Sequence, residues 1–221
     1  MAASSKEQVV SKQRVADHGE VFTAEREVNA MLDLVAQETA RIDSRFLEPA
    51  CGTGNFLTAI LERKLKVVHE KHASTPISSV ENTILSIASI YGIDILEDNV
   101  VCCRKKLEEQ TLASLPHNLD TSLFSQGQSA INFILSKNII WGDSLTLSTV
   151  GPSPGPILFS EWSSLGAGIF KRRDFEFAEM LRRSAAQEEM PLFSDLGEEV
   201  FIPRPVREYP KVHFSVLAND S

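Results

Sequence analysis

The 221 residues predict an α/β fold, a doubly wound and mostly parallel sheet with helices on both faces. Three observations predict it. Apolar segments near Arg45, Tyr91, Asn138 and Pro156 alternate with stretches of helical periodicity. A glycine turn, Cys51-Gly52-Thr53-Gly54, leads from the first segment into a helix. Acidic residues, Glu48, Asp94 and Asp143, stand at the ends of the first three segments.

In chain order, residues 1 to about 12 are small and polar, which predicts a frayed start. After Thr23, a capping residue with acids behind it, Val28, Met31, Leu32, Leu34 and Val35 recur at helical spacing and predict an amphipathic helix over about 24–40. Arg45 to Ala50 reads as a short strand ending in the glycine turn. Asn55 then caps a helix with Phe56, Leu57, Ile60, Leu61, Leu65 and Val68 on one side. A polar stretch, HASTPISS, separates this unit from an apolar segment at Ile84–Ile90 and from YGIDIL, whose β-branched residues suit a buried strand. Val100, Cys103 and Leu107 give the next segment helical periodicity. NIIWGDSL from Asn138 and PILFSEW from Pro156 read as third and fourth strands, with a Gly and Pro turn cluster between them. KRRDFEFAEMLRR, 171–183, reads as a helix with basic ends, and Pro191, Pro203, Pro205 and Pro210 predict an extended tail.

Composition bounds the function. A hydrophobic fraction of 43% and a charged fraction of 24% exclude a disordered, collagen-like or coiled-coil chain. Twenty-two Lys plus Arg against thirty Asp plus Glu leave −8, so a nucleic acid needs a local basic patch or a basic partner. The three cysteines, Cys51, Cys102 and Cys103, have no CxxC spacing and support neither a disulfide framework nor a metal site. With no signal-peptide core and no apolar run near the ~18 residues of a spanning helix, the expected setting is cytoplasmic and away from membranes.

The glycine turn places backbone N–H groups and a helix N-terminus at the carboxyl ends of parallel strands, which suits a nucleotide-like ligand. Neither GxGxxG nor GxxxxGK[ST] is present. Glu48 beside the turn repels a pyrophosphate and attracts an ammonium group. S-adenosylmethionine has that ammonium and no phosphate. Asp94 is placed to accept ribose hydroxyls, and Asp143 to accept from an adenine amino group.

FLEPACGTGNFL resembles the cofactor motif of S-adenosylmethionine-dependent adenine-N6 DNA methyltransferases of restriction–modification systems. HGEVFTAEREVNAMLDLV is similar to that family's N-terminal cofactor motif, with Phe22 and Thr23 at the methionine end and Ala24 where proline is usual. YGIDILEDNV and NIIWGDSL are similar to the ribose and adenine motifs. The matches span residues 18 to 147 in the family's order.

The resemblance implies a class I, Rossmann-like methyltransferase fold, shortened at its C-terminal end. It implies a flexible N-terminus at 1–17, a cofactor-binding domain at 18–183 and a Pro-rich extension at 184–221. Cofactor residues would be Phe22, Thr23, Glu48, Gly52, Gly54, Asp94 and Asp143, with no metal required. In the family an Asn-Pro-Pro-aromatic element holds the flipped adenine. Here Ser160-Glu161-Trp162 occupies that place without either proline, so Ser160 and Trp162 are the expected target-base residues.

Lys171, Arg172, Arg173, Arg182 and Arg183 are candidate phosphate contacts, against the plainer reading of a solvated helix face. The expected function is DNA adenine methylation in a restriction–modification or defence system. A specificity or partner subunit holds the DNA, and oligomerisation is compatible. Two alternatives stand beside it, a catalytically inactive cofactor-binding scaffold and an RNA or protein methyltransferase.

Overall fold

The computed structural model describes residues 23–72, 74–188 and 204–219. Helices α1 (Glu25–Leu34) and α2 (Ala36–Thr39) precede strand β1 (Phe46–Glu48). Helix α3 (Asn55–Val67) runs on into a wide turn over Val68–His72 and is followed by α4 (Pro76–Ala88) and β2 (Ile90–Asp94). Then come α5 (Glu97–Ala113), α6 (Thr121–Asn138), β3 (Ile139–Asp143) and the short β4 (Ser148–Thr149).

Strands β1, β2 and β3 pair in parallel in chain order, and β4 adds antiparallel to β3. The result is an α/β fold around a mostly parallel sheet. Right-handed crossovers that always step the same way leave their helices on one face. Side-chain alternation agrees. Ile90 and Ile139 pack with Leu57, Ile84, Val100 and Ile131 of α3 to α6. Tyr91 and Ile93 point the other way and meet Ile157, Phe159 and Phe177.

That second face is where the expectation of a further parallel strand fails. PILFSEW forms β5 (Leu158–Ser164), and it belongs to a separate antiparallel sheet, β5-β6-β7. Its partner β6 (Ile169–Glu176) takes up the first six residues of the segment expected to be helical from 171. The reason is a period of two: Phe170, Arg172 and Asp174 are buried, while Lys171 and Arg173 are half-buried on the other side. Only from Phe177 does helix α7 (Phe177–Glu188) begin. Strand β7 (Arg207–His213) pairs with β6 and leads into a 3-10 turn, Phe214–Asn219, so two of the tail's residues, Phe214 and Leu217, enter the main core. Pro191 and Pro203 lie outside the described residues.

Local signals explain the helix starts. Thr75 accepts the Ser78 N–H at 3.1 Å with Pro76 in the first turn, and Asp120 accepts the Leu123 N–H at 2.8 Å. Thr23 makes no such cap; Ala24 stands at that position without a side-chain bond. The two sheets are tied together by polar contacts. Glu81 of α4 is 7% exposed and accepts from the Ser164 hydroxyl and, at 2.9 Å, from the Gly168 N–H in the β5–β6 turn. The Tyr91 hydroxyl donates to the Ser160 carbonyl at 3.1 Å. Among the described residues no helix is long and apolar enough to cross a membrane.

Candidate cofactor site

The glycine turn closes on itself through the Gly54 N–H to the Cys51 carbonyl at 2.9 Å, and it leans on β2 through the Cys51 N–H to the Ile93 carbonyl at 2.8 Å. Gly52 and Gly54 have φ of 52° and 87°, the left-handed region where a side chain is strained. Gly54 caps α3, and a Cβ there would stand 2.7 Å from the Cys103 sulfur. Gly92 of β2 has the same duty from the other side, since its Cβ would lie 2.9 Å from Leu57 and 3.0 Å from the Cys51 sulfur. Lys106 of α5 donates to Thr53 Oγ1 at 2.9 Å and Asn55 Oδ1 at 3.2 Å, fixing the outer side of the turn.

The three acids lie on the helix-bearing face of the sheet, in a staircase. Glu48 is level with Gly92, Asp94 is level with Trp141, and Asp143 is two residues further on. Each step is about 6–7 Å along the strands. Glu48 is half-buried, and its backbone partner is the Ala50 N–H at 3.4 Å. Burial pushes its carboxyl above the usual value, and the Ala50 N–H only partly offsets that.

Asp94 behaves differently. It is 8% exposed; Oδ2 accepts the Gly52 N–H at 2.8 Å, and Oδ1 accepts the Leu96 N–H at 2.9 Å and Asn99 Nδ2 at 3.2 Å. Of about four lone-pair positions on a carboxylate, that leaves about one, too few for both hydroxyls of a ribose. Its evident work is to clamp the glycine turn to the ends of β2 and α5. Asp143 accepts the Leu145 N–H at 2.8 Å, and this bond, aided by Thr146, holds its pKa below the usual carboxylate value. It shapes the turn between β3 and β4. Thr23 is exposed just ahead of α1, which meets α3 through the Arg63–Asp33 ion pair at 2.8 Å. Phe22 lies outside the described residues.

Ser160 and Trp162, the expected target-base residues, are not brought to this site. Ser160 is 2% exposed and donates to Asp174 Oδ1 at 2.7 Å. Trp162, 6% exposed, donates to Asn138 Oδ1 at 3.3 Å and packs edge-on to Phe133. Asn138 ends α6 immediately before β3, at the pole of the sheet opposite the acids. Because β5 pairs with β6 rather than joining the parallel sheet, it carries both residues away from the strand ends.

The basic run is likewise engaged in ion pairs. Arg172 binds Asp174 through two bonds of 2.8 Å, Lys171 meets Glu208 at 2.6 Å, Arg173 meets Glu161, and Arg182 faces Glu176 and Glu179. Glu161 also binds Arg45 at 3.2 Å, so it is a half-buried junction between two arginines. The side chain of Arg183 lies outside the described residues.

Asn99, Cys103 and Lys106 are not site residues in the sequence reading, although each shapes the turn. Asn99 and Cys103 carry the signal of helix spacing toward the turn. Lys106 carries none, being 51 residues from Asn55. No protein-family model, no curated protein and no solved structure matches this chain.

Proposed function

We propose that the chain is an S-adenosylmethionine-dependent methyltransferase domain of the adenine-N6 DNA-modifying type, acting within a restriction–modification or related defence system. The observation that carries the reading is Glu48. It is a half-buried carboxylate of raised pKa with one long backbone contact, beside a glycine turn anchored to the strand ends. An ammonium group relieves that desolvation, whereas a phosphate worsens it. The N-terminus of α3 suits the carboxylate of the same amino acid. S-adenosylmethionine supplies a methyl group on a cationic sulfur. Glu48 orients its amino acid end, Gly52 and Gly54 let the backbone approach it, and Asp94 holds the turn in shape and has about one acceptor position left. Target recognition falls to a specificity or partner subunit.

Isothermal titration with S-adenosylmethionine tests the reading. Saturable binding that Glu48→Gln weakens by about tenfold is expected, the size of one charge-assisted contact. Absence of binding overturns it. Transfer of a tritiated methyl group, measured across DNA, RNA and protein, then separates the substrates. The burial of Ser160 and Trp162 favours a second reading, a methyltransferase-like subunit that binds the cofactor without transferring its methyl group. Binding with no transfer to any substrate is its signature.

A further inference from the structure

At the pole opposite the acids, cations and aromatic rings alternate in space. Lys137 Nζ lies 5.2 Å from the centre of the Phe133 ring, and the Arg172 guanidinium 5.4 Å from that ring. Arg172 is also 4.1 Å from the Tyr209 ring, whose other neighbour, Arg207, is 4.6 Å away. Three cations, one each from α6, β6 and β7, thereby alternate with two rings, one from α6 and one from β7.

One carboxylate, Asp174, is set among them, and it is committed. Arg172 holds both oxygens, Ser160 donates to Oδ1, and the Tyr209 hydroxyl donates to Oδ2 at 2.9 Å. Neither Lys137 nor Arg207, the outer members, has a carboxylate within ion-pair distance among the described residues. Burial, and then the nearby Arg172 charge, push the Lys137 ammonium toward a lower pKa, which an added anion reverses. The local excess is two positive charges on a chain whose total is −8.

We propose that this array binds the phosphodiester backbone of single-stranded nucleic acid, with Lys137 and Arg207 taking phosphates. What distinguishes a nucleic acid from an acidic peptide here is the exposed Arg207 guanidinium, backed by the Tyr209 ring. Bases stack on guanidinium planes, and carboxylates do not. Arg172, locked from inside by Asp174, keeps Tyr209 and Phe133 in place and adds a fixed positive potential. The choice of nucleic acid agrees with the proposed function, but the site does not depend on the cofactor.

The test is fluorescence anisotropy of a labelled twenty-nucleotide DNA strand with the full chain, without S-adenosylmethionine, over a series of salt concentrations. The variant carrying Lys137→Gln and Arg207→Gln is expected to bind about tenfold or more weakly. Its slope of log affinity against log salt should fall by about 1.4, two phosphate contacts at about 0.7 each. Lys66→Gln with Lys105→Gln, on the helix face, should match the wild type. An unchanged slope in the first variant overturns the site. Competition by polyglutamate as effective as by the DNA strand overturns the ligand class. Neither outcome bears on the titration with S-adenosylmethionine, so the two proposals fail separately.

Discussion

The Asp94 carboxylate receives the Gly52 N–H at 2.8 Å, across 42 residues of sequence. This bond fastens the glycine turn to the second strand, and with Leu96 and Asn99 it gathers three donors on one buried acid. Asp94→Asn replaces one of two acceptor oxygens by an NH₂ group that meets an N–H donor head-on. A loss of about 2–3 kcal/mol is expected from urea unfolding. Asn99→Ala, which removes one 3.2 Å donor, should cost less.

Gly54→Ala meets two obstacles, a φ of 87° and the Cys103 sulfur 2.7 Å from the new methyl. The expected cost is about 2–4 kcal/mol. A double-mutant cycle separates the two. Cys103→Ala alone opens a cavity and destabilises, but in the Gly54→Ala background it should restore part of the loss. A coupling energy near zero would show that the backbone conformation accounts for all of it.

Lys64 of α3 is completely buried. Its ammonium donates to the Ile42 carbonyl at 3.1 Å, to the Ser44 carbonyl and to Ser89 Oγ at 2.6 Å, pinning the approach to β1. Lys64→Met takes the ammonium donor from the Ser44 carbonyl, while the Ile42 carbonyl keeps the Ser89 hydroxyl, and should cost about 1–3 kcal/mol. Burial lowers its pKa from 10.5 to about 7, against the opposing pull of Asp43 and Glu38. Between pH 7 and 10.5 the unfolded chain holds the extra proton, so this residue's contribution makes stability rise with pH in that window. Below pH 7 the cost of the buried charge is fully present. Urea midpoints of wild type and Lys64→Met should therefore diverge from pH 7 to 9; a constant difference would contradict the shift.

Trp162→Ala is expected to lower stability by about 3–5 kcal/mol, as removal of a buried aromatic does, and to leave affinity for S-adenosylmethionine unchanged at temperatures where the variant is folded. Trp162→Phe keeps most of the packing and loses the bond to Asn138, so it should cost about 1–2 kcal/mol. A thermal melt with a parallel cofactor titration reads both effects.

The parallel half of the fold was legible because apolar strands such as YGIDI end at acids or at a glycine turn, and these breaks are local chemistry. Helix α5 was legible too, for Val100, Cys103 and Leu107 are buried as their spacing predicts. Strand β6 was hidden by its own buried ion pair. Arg172 and Asp174 occupy core positions of a two-residue period, and two charged residues do not look like a core. In α1 the apolar spacing overstates burial: Val28 and Leu32 are inside, while Met31 and Leu34 are 53% and 86% exposed. Helix α6 was passed over because serines and glutamines interrupt its apolar positions, although Asp120 marks its start. At the site, the residue types at the strand ends were readable, but their partners were not. Whether Asp94 faces a ligand or the Gly52 N–H depends on a contact between distant segments, and the fate of Ser160 and Trp162 depends on which strand β5 chooses as its neighbour.

Glu81 has a consequence for how the chain can be divided. The Gly- and Pro-rich connection at 151–156 looks like a boundary between a parallel half and an antiparallel half. Yet the carboxylate that holds the Ser164–Gly168 turn comes from the earlier half, as does the tyrosine that reaches Ser160. Expressed alone, the first half would expose Tyr91 and Ile93, which pack on Ile157, Phe159 and Phe177, and the second would be a hairpin without its peg. A protease cut in the connection should therefore leave two fragments that travel together on a sizing column and melt in a single transition.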